Sequence, residues 1–217
     1  MRRTRSAYVC GAVCTFLVVA PARAGAQLEV GSRIGVLAVP FGNAVGGEPI
    51  RYTTSPLLPF ELEVGPRLSP TVFVGVFGRF GLSISNSAHE PECYQCVGHV
   101  AMFGVEALFH LSPGASPDPW IGLGLGIELP GDIYKTGASP DEPFKRQMSG
   151  PMAELQSGLE WPIGEHVALG PWIALAIGAY IRRSEFLEEQ PGAGGSDPYS
   201  TAVHFWVSVG FRVAVRL

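Results

Sequence analysis

Charged residues are scarce in this sequence. Asp, Glu, Lys and Arg make up 16% of the 217 residues, against about 25% in an ordinary soluble domain. Long apolar runs are also missing, because no stretch of about 18 or more apolar residues follows the N-terminal segment, which excludes a transmembrane helix there. Yet 47% of the residues are hydrophobic. A chain this apolar without long apolar runs must distribute its apolar residues periodically, which favours β-strands in contact with lipid.

The N-terminal segment has the pattern of a secretory signal peptide. Residues 2–5 are rich in Arg, residues 7–20 are apolar, and residues 24–26 form a small-residue cleavage site. A membrane-anchoring helix is the alternative, and its short length disfavours it. We therefore predict that residues 1–26 are removed during Sec-type export, by cleavage before Gln27 or Gly25.

The charge balance of the remaining chain is acidic. Residues 1–26 hold four of the 15 basic residues and none of the 19 acidic ones, so residues 27–217 carry a formal charge of −8. Excess negative charge repels phosphate backbones. The sequence therefore predicts that no nucleic acid is a partner.

From residue 28 onward, apolar and polar residues alternate with a period of two. In the final run the odd-numbered residues 203–217 are all apolar, whereas the even-numbered ones include His204, Gly210, Arg212 and Arg216. This run is longer than the usual strand of about 5–6 residues and suits a tilted strand that crosses a bilayer, which needs about 9–11. Similar runs predict eight strands, at residues 28–39, 55–68, 71–84, 101–111, 120–129, 152–161, 167–181 and 201–217.

The connections between these strands alternate between short and long. The short ones are at residues 69–70, 113–119 and 163–166, and the long ones are at residues 40–54, 86–98, 130–149 and 183–199. Short periplasmic turns and longer external loops are typical of outer-membrane barrels. We therefore predict that residues 27–217 form a single all-β domain, an eight-stranded antiparallel up-and-down transmembrane β-barrel.

The two faces of the strands differ in chemistry, and this difference decides which face looks outward. One face carries aliphatic residues and Phe, whereas the other carries Gly, Ala and most of the strand charges. A soluble lipocalin-like barrel would turn the charged face outward, but an eight-stranded lumen cannot hold so many bulky apolar side chains. We predict a lumen charge network made of Arg33, Glu61, Glu63, Arg67, Arg79, Glu106, Glu128, Glu154, Glu160, Arg212 and Arg216.

One strand carries a family resemblance. Residues 117–126, Pro-Asp-Pro-Trp-Ile-Gly-Leu-Gly-Leu-Gly, resemble the Pro-aromatic-x-Gly-x-Gly-x-Gly strand of small outer-membrane barrels of the OmpA/OmpW type. The hairpin at residues 158–169 is similar to theirs, and the last strand resembles the signal read by the barrel-insertion machinery. That family usually ends in Phe, whereas this chain ends in Leu217.

The resemblance covers nearly all of residues 27–217, although its motifs are generic to the class. It implies a location in the bacterial outer membrane and contact with outer-membrane lipid and lipopolysaccharide. It also implies insertion by the barrel-insertion machinery, and we expect a monomer.

The segment 89–99 contains two cysteines and two histidines. Cys93 and Cys96, with His89 and His99, are the residue types of a tetrahedral metal site. A Cys93–Cys96 disulfide formed in the oxidising periplasm is the alternative. We favour the disulfide because only these two of the four cysteines lie outside residues 1–26. No metal and no cofactor are predicted.

The predicted lumen charges admit two interpretations, an ion-pair network that fills the lumen or the lining of a narrow selective path. Eight strands leave an interior barely wide enough for side chains, which favours the filled lumen. The sequence therefore predicts a non-enzymatic barrel for envelope integrity, surface interaction or narrow-pore transport.

An enzyme that modifies lipid A is the alternative function. His204 and Ser208 share the inward face, but residues four apart on a strand are separated by about 13 Å. That distance prevents the direct hydrogen bond between nucleophile and base that such chemistry needs. We therefore predict no catalytic residue, and His204 is interpreted as a lumen or rim residue.

Overall fold

The computed structural model describes residues 27–42, 57–84, 93–136, 139–187 and 202–217. These ranges contain nine strand segments: β1 (Gln27–Gly42), β2 (Leu58–Ser69), β3 (Val72–Ile84), β4 (Cys93–His110), β5 (Asp118–Thr136), β6 (Ser139–Ile163), β7 (Val167–Tyr180), β8 (Arg182–Leu187) and β9 (Ala202–Arg216). No helix in the described part of the chain is long and apolar enough to span a bilayer.

The strands form one closed antiparallel sheet. Consecutive strands pair from β1 to β7, and β9 pairs with both β7 and β1 and so closes the sheet. Segment β8 continues β7 along the same neighbour, β6, after a break at Ile181. There the Ile181 N–H still donates to the Ser149 carbonyl, at 3.0 Å. Because β7 and β8 together make one barrel strand, the predicted eight-stranded up-and-down barrel is confirmed.

Both ends of the described chain lie at the end of the barrel that carries the short turns. Gln27 is opposite Arg67, next to the β2–β3 turn, and the Leu217 N–H donates to the Leu28 carbonyl at 2.8 Å. The other two turns use Gly114 and Gly164 in left-handed conformations, with φ of 88° and 73°, which favour glycine. We call this end the inner end and the opposite end the outer end.

Side chains alternate between the exterior and the lumen as the sequence predicts. Leu125 and Phe211 point outward and are 63% and 57% exposed, whereas residues on the other face, such as Trp172 and Arg212, are 3% and 1% exposed. A pleated strand sends successive side chains to opposite faces. The barrel therefore has an apolar exterior and a lumen lined by charged, aromatic and small residues.

The predicted loops at the outer end are wrong in extent. Strand β4 begins at Cys93, inside the predicted loop 86–98, and β5 and β6 pair through most of the predicted loop 130–149, as far as Thr136 opposite Ser139. Segment β8 occupies the start of the predicted loop 183–199, and β1 extends beyond residue 39 to Gly42. Pairing outside a bilayer requires no apolar face, so these segments lack the alternation of apolar and polar residues that predicts a strand.

The sheet extends unevenly at the outer end. Strands β4, β5 and β6 contain 18, 19 and 25 residues, whereas about 9–11 residues cross a bilayer. Residues 131–147 of β5 and β6 form the longest extension, which we call the outer hairpin. It lies at the end of the barrel opposite the short turns.

Close packing of the strands makes one glycine a sensitive position. A Cβ atom at Gly170 would overlap the Leu159 carbonyl oxygen, whereas a Cβ atom at Gly124 would meet its nearest atom at 3.5 Å. We expect Gly170→Ala to lower the free energy of unfolding by about 1–3 kcal/mol through overpacking, measured by urea unfolding in lipid vesicles. Gly124→Ala is the control and should change it little; equal effects of the two substitutions would contradict this packing.

Candidate functional site

The inner half of the lumen is filled by interlocking Arg and Glu side chains. We call them the lumen network: Glu29, Arg33, Glu61, Glu63, Arg67, Arg79, Glu106, Glu154, Glu160, Arg212 and Arg216. All are buried except Arg216, whose side chain is 22% exposed at the inner rim. Buried charges need partners because they are removed from water, and the network supplies them.

Arg33 lies at the centre of this network. Its fully buried guanidinium contacts three carboxylates, those of Glu61, Glu63 and Glu106, the last at 3.0 Å. Its Cζ atom also lies 5.7 Å from the Trp120 ring and 5.8 Å from the Trp172 ring, within the range of cation–π attraction. Arg33 therefore joins β1 to strands on both sides of the lumen.

Arg79 connects opposite walls of the barrel. From β3 its guanidinium donates two hydrogen bonds to the Glu154 carboxylate on β6, one of them 2.8 Å long, and it also binds Glu61. A two-point pair between planar groups fixes their relative orientation as well as their distance. Because β3 and β6 are three strands apart, this pair crosses the lumen.

Arg212 binds three carboxylates from three strands. It donates to Glu63 at 2.7 Å from Nε and to Glu29 at 2.9 Å from Nη2, and it also contacts Glu160. Its Cζ atom lies 5.5 Å from the Trp120 ring. Arg212 thus links the last strand, β9, to β1, β2 and β6.

The network continues to the inner mouth through a neutral histidine. Arg67 donates to Glu29 at 2.8 Å, and its Nη1 lies 3.3 Å from His110 Nε2. Because Arg is only a donor, Nε2 accepts, and Nδ1 carries the proton that is donated to Asp118 at 2.9 Å. An open cavity of about 460 Å³ lies beside Arg67, Asp118 and Arg216.

The outer half of the lumen is mainly apolar. It is filled by a buried cluster of Ala38, Leu57, Phe77, Val100, Met102, Met148, Met152, Ala176, Tyr180 and Trp206. Within the described part of this region the cavity next to Met102 and Trp206 has a volume of about 10 Å³, enough for about one water molecule. Next to Met102 and Trp206 the described side chains therefore leave little free space.

Glu128 lies within this apolar cluster and is held by hydrogen bonds from three aromatic side chains. Its carboxylate accepts from the Tyr180 hydroxyl at 2.7 Å, His204 Nε2 at 2.7 Å and Trp206 Nε1 at 2.9 Å. The Tyr180 and His204 rings stack with centroids 3.9 Å apart. Three donors compensate for the water that the carboxylate has lost.

No family model matches the chain, and neither does any curated protein. Solved structures do match it. The chain is similar to a major outer membrane protein from Thermus thermophilus, with a TM-score of 0.60 and 12% identity over 89% of this chain and 100% of that one. It is also similar to Neisserial surface protein A, with a TM-score of 0.51 and 11% identity over 87% of this chain and 98% of that one. The chain has the fold of a small outer-membrane β-barrel.

In this outer-membrane barrel fold, the predicted lumen charges all face inward. The structure brings ten of them into the lumen network, together with Glu29, and places Glu128 apart in the outer half with His204. Ser208 is buried on β9. His204 Nε2 binds Glu128 instead, and His204 Nδ1 has no hydrogen-bond partner among the described residues.

The predicted lumen charge network omits four polar residues that lie in the lumen. Glu29, His110, Asp118 and Gln156 are all buried and hydrogen-bonded to it. Glu29 lies four residues before Arg33 on the same face of β1, and this spacing alone could have identified it. Asp118 precedes the recognisable alternation of β5, so no sequence signal pointed to it.

Two predictions fall outside the described residues or side chains. The predicted signal peptide, residues 1–26, is not among the described residues. The backbones of Cys93 and Cys96 lie in β4, but their side chains are not described, so the disulfide stays a prediction.

Proposed function

We propose that this protein is a closed, non-enzymatic barrel of the bacterial outer membrane that serves envelope integrity and surface interaction. The proposal includes export with loss of residues 1–26, insertion by the barrel-insertion machinery, and contact with lipid and lipopolysaccharide along the apolar exterior. The observation that carries it is the fully buried guanidinium of Arg33, held by three carboxylates at the centre of the lumen.

The lumen network argues against narrow-pore transport. A conducting path needs hydrated or exchangeable ligands along its whole length, whereas Arg33, Arg79 and Arg212 are 0%, 4% and 1% exposed. Each of them binds at least two carboxylates. Breaking one such buried pair costs about 3–5 kcal/mol, so thermal fluctuations rarely open the network.

The outer hairpin supports a role at the cell surface. A barrel that only filled the membrane would need no strand of 25 residues, the length of β6. The paired residues 131–147 extend beyond the membrane-spanning part of the sheet, and a rigid closed barrel would hold them in place. Segments of this kind commonly carry binding functions.

Catalysis on lipid A has little support. A serine or other nucleophile would need a base within about 2.6–3.2 Å. His204 is the candidate base, and among the described residues neither of its ring nitrogens has a nucleophile at that distance. Its Nε2 atom binds the Glu128 carboxylate, beneath apolar side chains. We therefore propose that His204 and Glu128 stabilise the outer half of the lumen.

Conductance tests the proposal directly. In planar lipid bilayers the purified barrel should show no discrete conductance steps, because the lumen network closes the lumen. The variant Arg33→Ala/Trp120→Ala removes two large side chains from the centre and should conduct, with a preference for cations because the three carboxylates remain. Reproducible single-channel steps in the unaltered protein would overturn the closed-barrel proposal.

A further inference from the structure

The pairing of β4 with β5 contains a β-bulge at its outer end. Cys93 is opposite Thr136 and Gln95 is opposite Lys135, so two steps along β4 match one step along β5, and Tyr94 is the extra residue. The rest of the described β4–β5 ladder has no further shift. A bulge bends its strand and changes the faces on which the flanking residues lie. The residues on either side of Tyr94 are therefore the ones that it rearranges.

The bulge places two cysteines on one face of the sheet. Cys93 and Cys96 are opposite Thr136 and Tyr134, which are two residues apart on β5 and so share a face. Because directly opposed residues of an antiparallel pair lie on the same face, the two cysteines share a face as well. In a regular strand, residues three apart lie on opposite faces. The extra residue, Tyr94, thus brings together two positions that a regular strand would separate.

The bulge also shortens the distance between these two cysteine positions. Residues two apart on a strand have Cα atoms about 6.6–6.8 Å apart, and this spacing on β5 sets the spacing of Cys93 and Cys96 opposite it. Residues three apart on a regular strand would be about 10 Å apart. A disulfide needs Cα atoms about 4.4–6.8 Å apart. The backbone therefore permits a disulfide here with the bulge and excludes it without the bulge.

We propose that a Cys93–Cys96 disulfide holds this bulge in place and thereby fixes the register of β4 against the outer hairpin. The two thiols lose two protons and two electrons, an S–S bond forms, and the disulfide of a periplasmic thiol–disulfide oxidoreductase is reduced to two thiols. The inference rests on the surface role proposed for the outer hairpin and adds the covalent bond that fixes its position.

The disulfide and the bulge stabilise each other. Without the bulge, Tyr94 would move opposite Thr136, and Cys93 would move to the other face, because a slip of one residue reverses the faces of a strand. Cys93 would then be out of reach of Cys96, so an intact disulfide prevents this slip. Coupling of this kind is reciprocal. The bulged register therefore favours the disulfide by the same factor, and reduction allows the slip.

The register separates the cysteines from the histidine of the alternative metal site. Cys96 lies on the same face of β4 as Val100, which is 2% exposed in the lumen. His99 lies on the opposite face, where its ring centroid is 6.2 Å from that of Phe80. A tetrahedral metal site needs ligand atoms within about 2.0–2.3 Å of one ion, which opposite faces of a strand cannot supply. This geometry favours a disulfide over a metal site that includes His99.

The test moves one cysteine by a single residue. In Gln95→Cys/Cys96→Gln the cysteines occupy positions 93 and 95, which lie on opposite faces across the bulge but would share a face in a regular strand. This variant and the unaltered barrel are refolded in vesicles of phosphatidylethanolamine and phosphatidylglycerol, then equilibrated with glutathione and glutathione disulfide. Mass spectrometry after thiol alkylation measures the oxidised fraction, and the same chains in urea provide the unfolded reference.

Folding should act on the two proteins in opposite directions. We expect it to raise the equilibrium constant for disulfide formation by about tenfold or more in the unaltered barrel, and to lower it by a similar factor in the variant, a coupling of the usual size. The proposal is overturned if folding leaves the first constant unchanged or favours the disulfide in the variant. Either failure would leave the conductance test of the closed barrel unaffected, so the two proposals fail separately.

Hydrogen exchange provides a second measurement, on the bulge itself. Reduction of the unaltered barrel with dithiothreitol should speed backbone amide exchange at residues 93–96 and 134–136, because the register there is no longer fixed. Residues 101–107 of β4, below the bulge, should exchange at the same rate before and after reduction. Cys93→Ser/Cys96→Ser is the control and should exchange as the reduced protein does, with or without dithiothreitol. Equal exchange before and after reduction would show that no disulfide holds the bulge.

Discussion

Arg33→Ala is expected to lower the free energy of unfolding by about 3–5 kcal/mol, the usual cost of removing one partner from a buried ion network. The substitution leaves Glu61, Glu63 and Glu106 without their shared guanidinium, in a part of the lumen that is at most 3% exposed. Equilibrium urea unfolding of the refolded protein in lipid vesicles measures this loss.

Arg216→Ala is the matched control for this prediction. Its side chain is 22% exposed at the inner rim, and its partners Glu29 and Glu160 keep a second arginine, Arg212. We expect a loss of less than about 1 kcal/mol, typical of an exposed ion pair. Similar losses for the two variants would mean that the network does not concentrate its stabilising effect at Arg33.

Leu125→Arg should destabilise the membrane-inserted barrel by about 2–4 kcal/mol, the cost of a basic residue on the lipid-facing side near the middle of a bilayer. Leu125 lies within β5, points outward and is 63% exposed. The loss is measurable by urea unfolding in vesicles, together with the fraction of protein that shows heat-modifiable migration on a gel.

Ile163→Arg places the same charge at the inner end of β6. Ile163 is 55% exposed and directly precedes the turn at Gly164. Near the edge of the bilayer a basic residue on the lipid-facing side costs only about 0–1 kcal/mol. A barrel that tolerated both substitutions equally would have an exterior that faces water, and the assignment of the apolar face to lipid would be wrong.

The membrane-spanning strands were predictable because lipid imposes a strong pattern on them. In β5, Ile121, Leu123 and Leu125 face outward and alternate with glycines that face a crowded lumen. The outer hairpin was not predictable by the same means. Outside the bilayer neither face of a strand must be apolar. Asp132 and Lys145 therefore lie in paired strands whose sequence shows no alternation of apolar and polar residues.

The inward charges were predictable from alternation, but their partners were not. Arg79 shares its face with Phe73 and Phe77, a mixture that makes β3 look irregular in sequence; in the barrel all three face a lumen that holds both aromatic and ionic groups. The partner of each charge depends on the stagger of the strands around the barrel. No sequence spacing indicates that Arg79 crosses the lumen to Glu154.

The pairing of the first strand with the last has a consequence for how the molecule is assembled. Glu29 on β1 binds Arg212 and Arg216 on β9, across 183 and 187 residues of chain. Until these two strands meet, the concave side of the incomplete sheet keeps ionic groups that water must solvate, and such a surface cannot enter hydrocarbon cheaply. Joining β1 to β9 removes these groups from water, so we expect membrane entry and ring completion to be thermodynamically coupled.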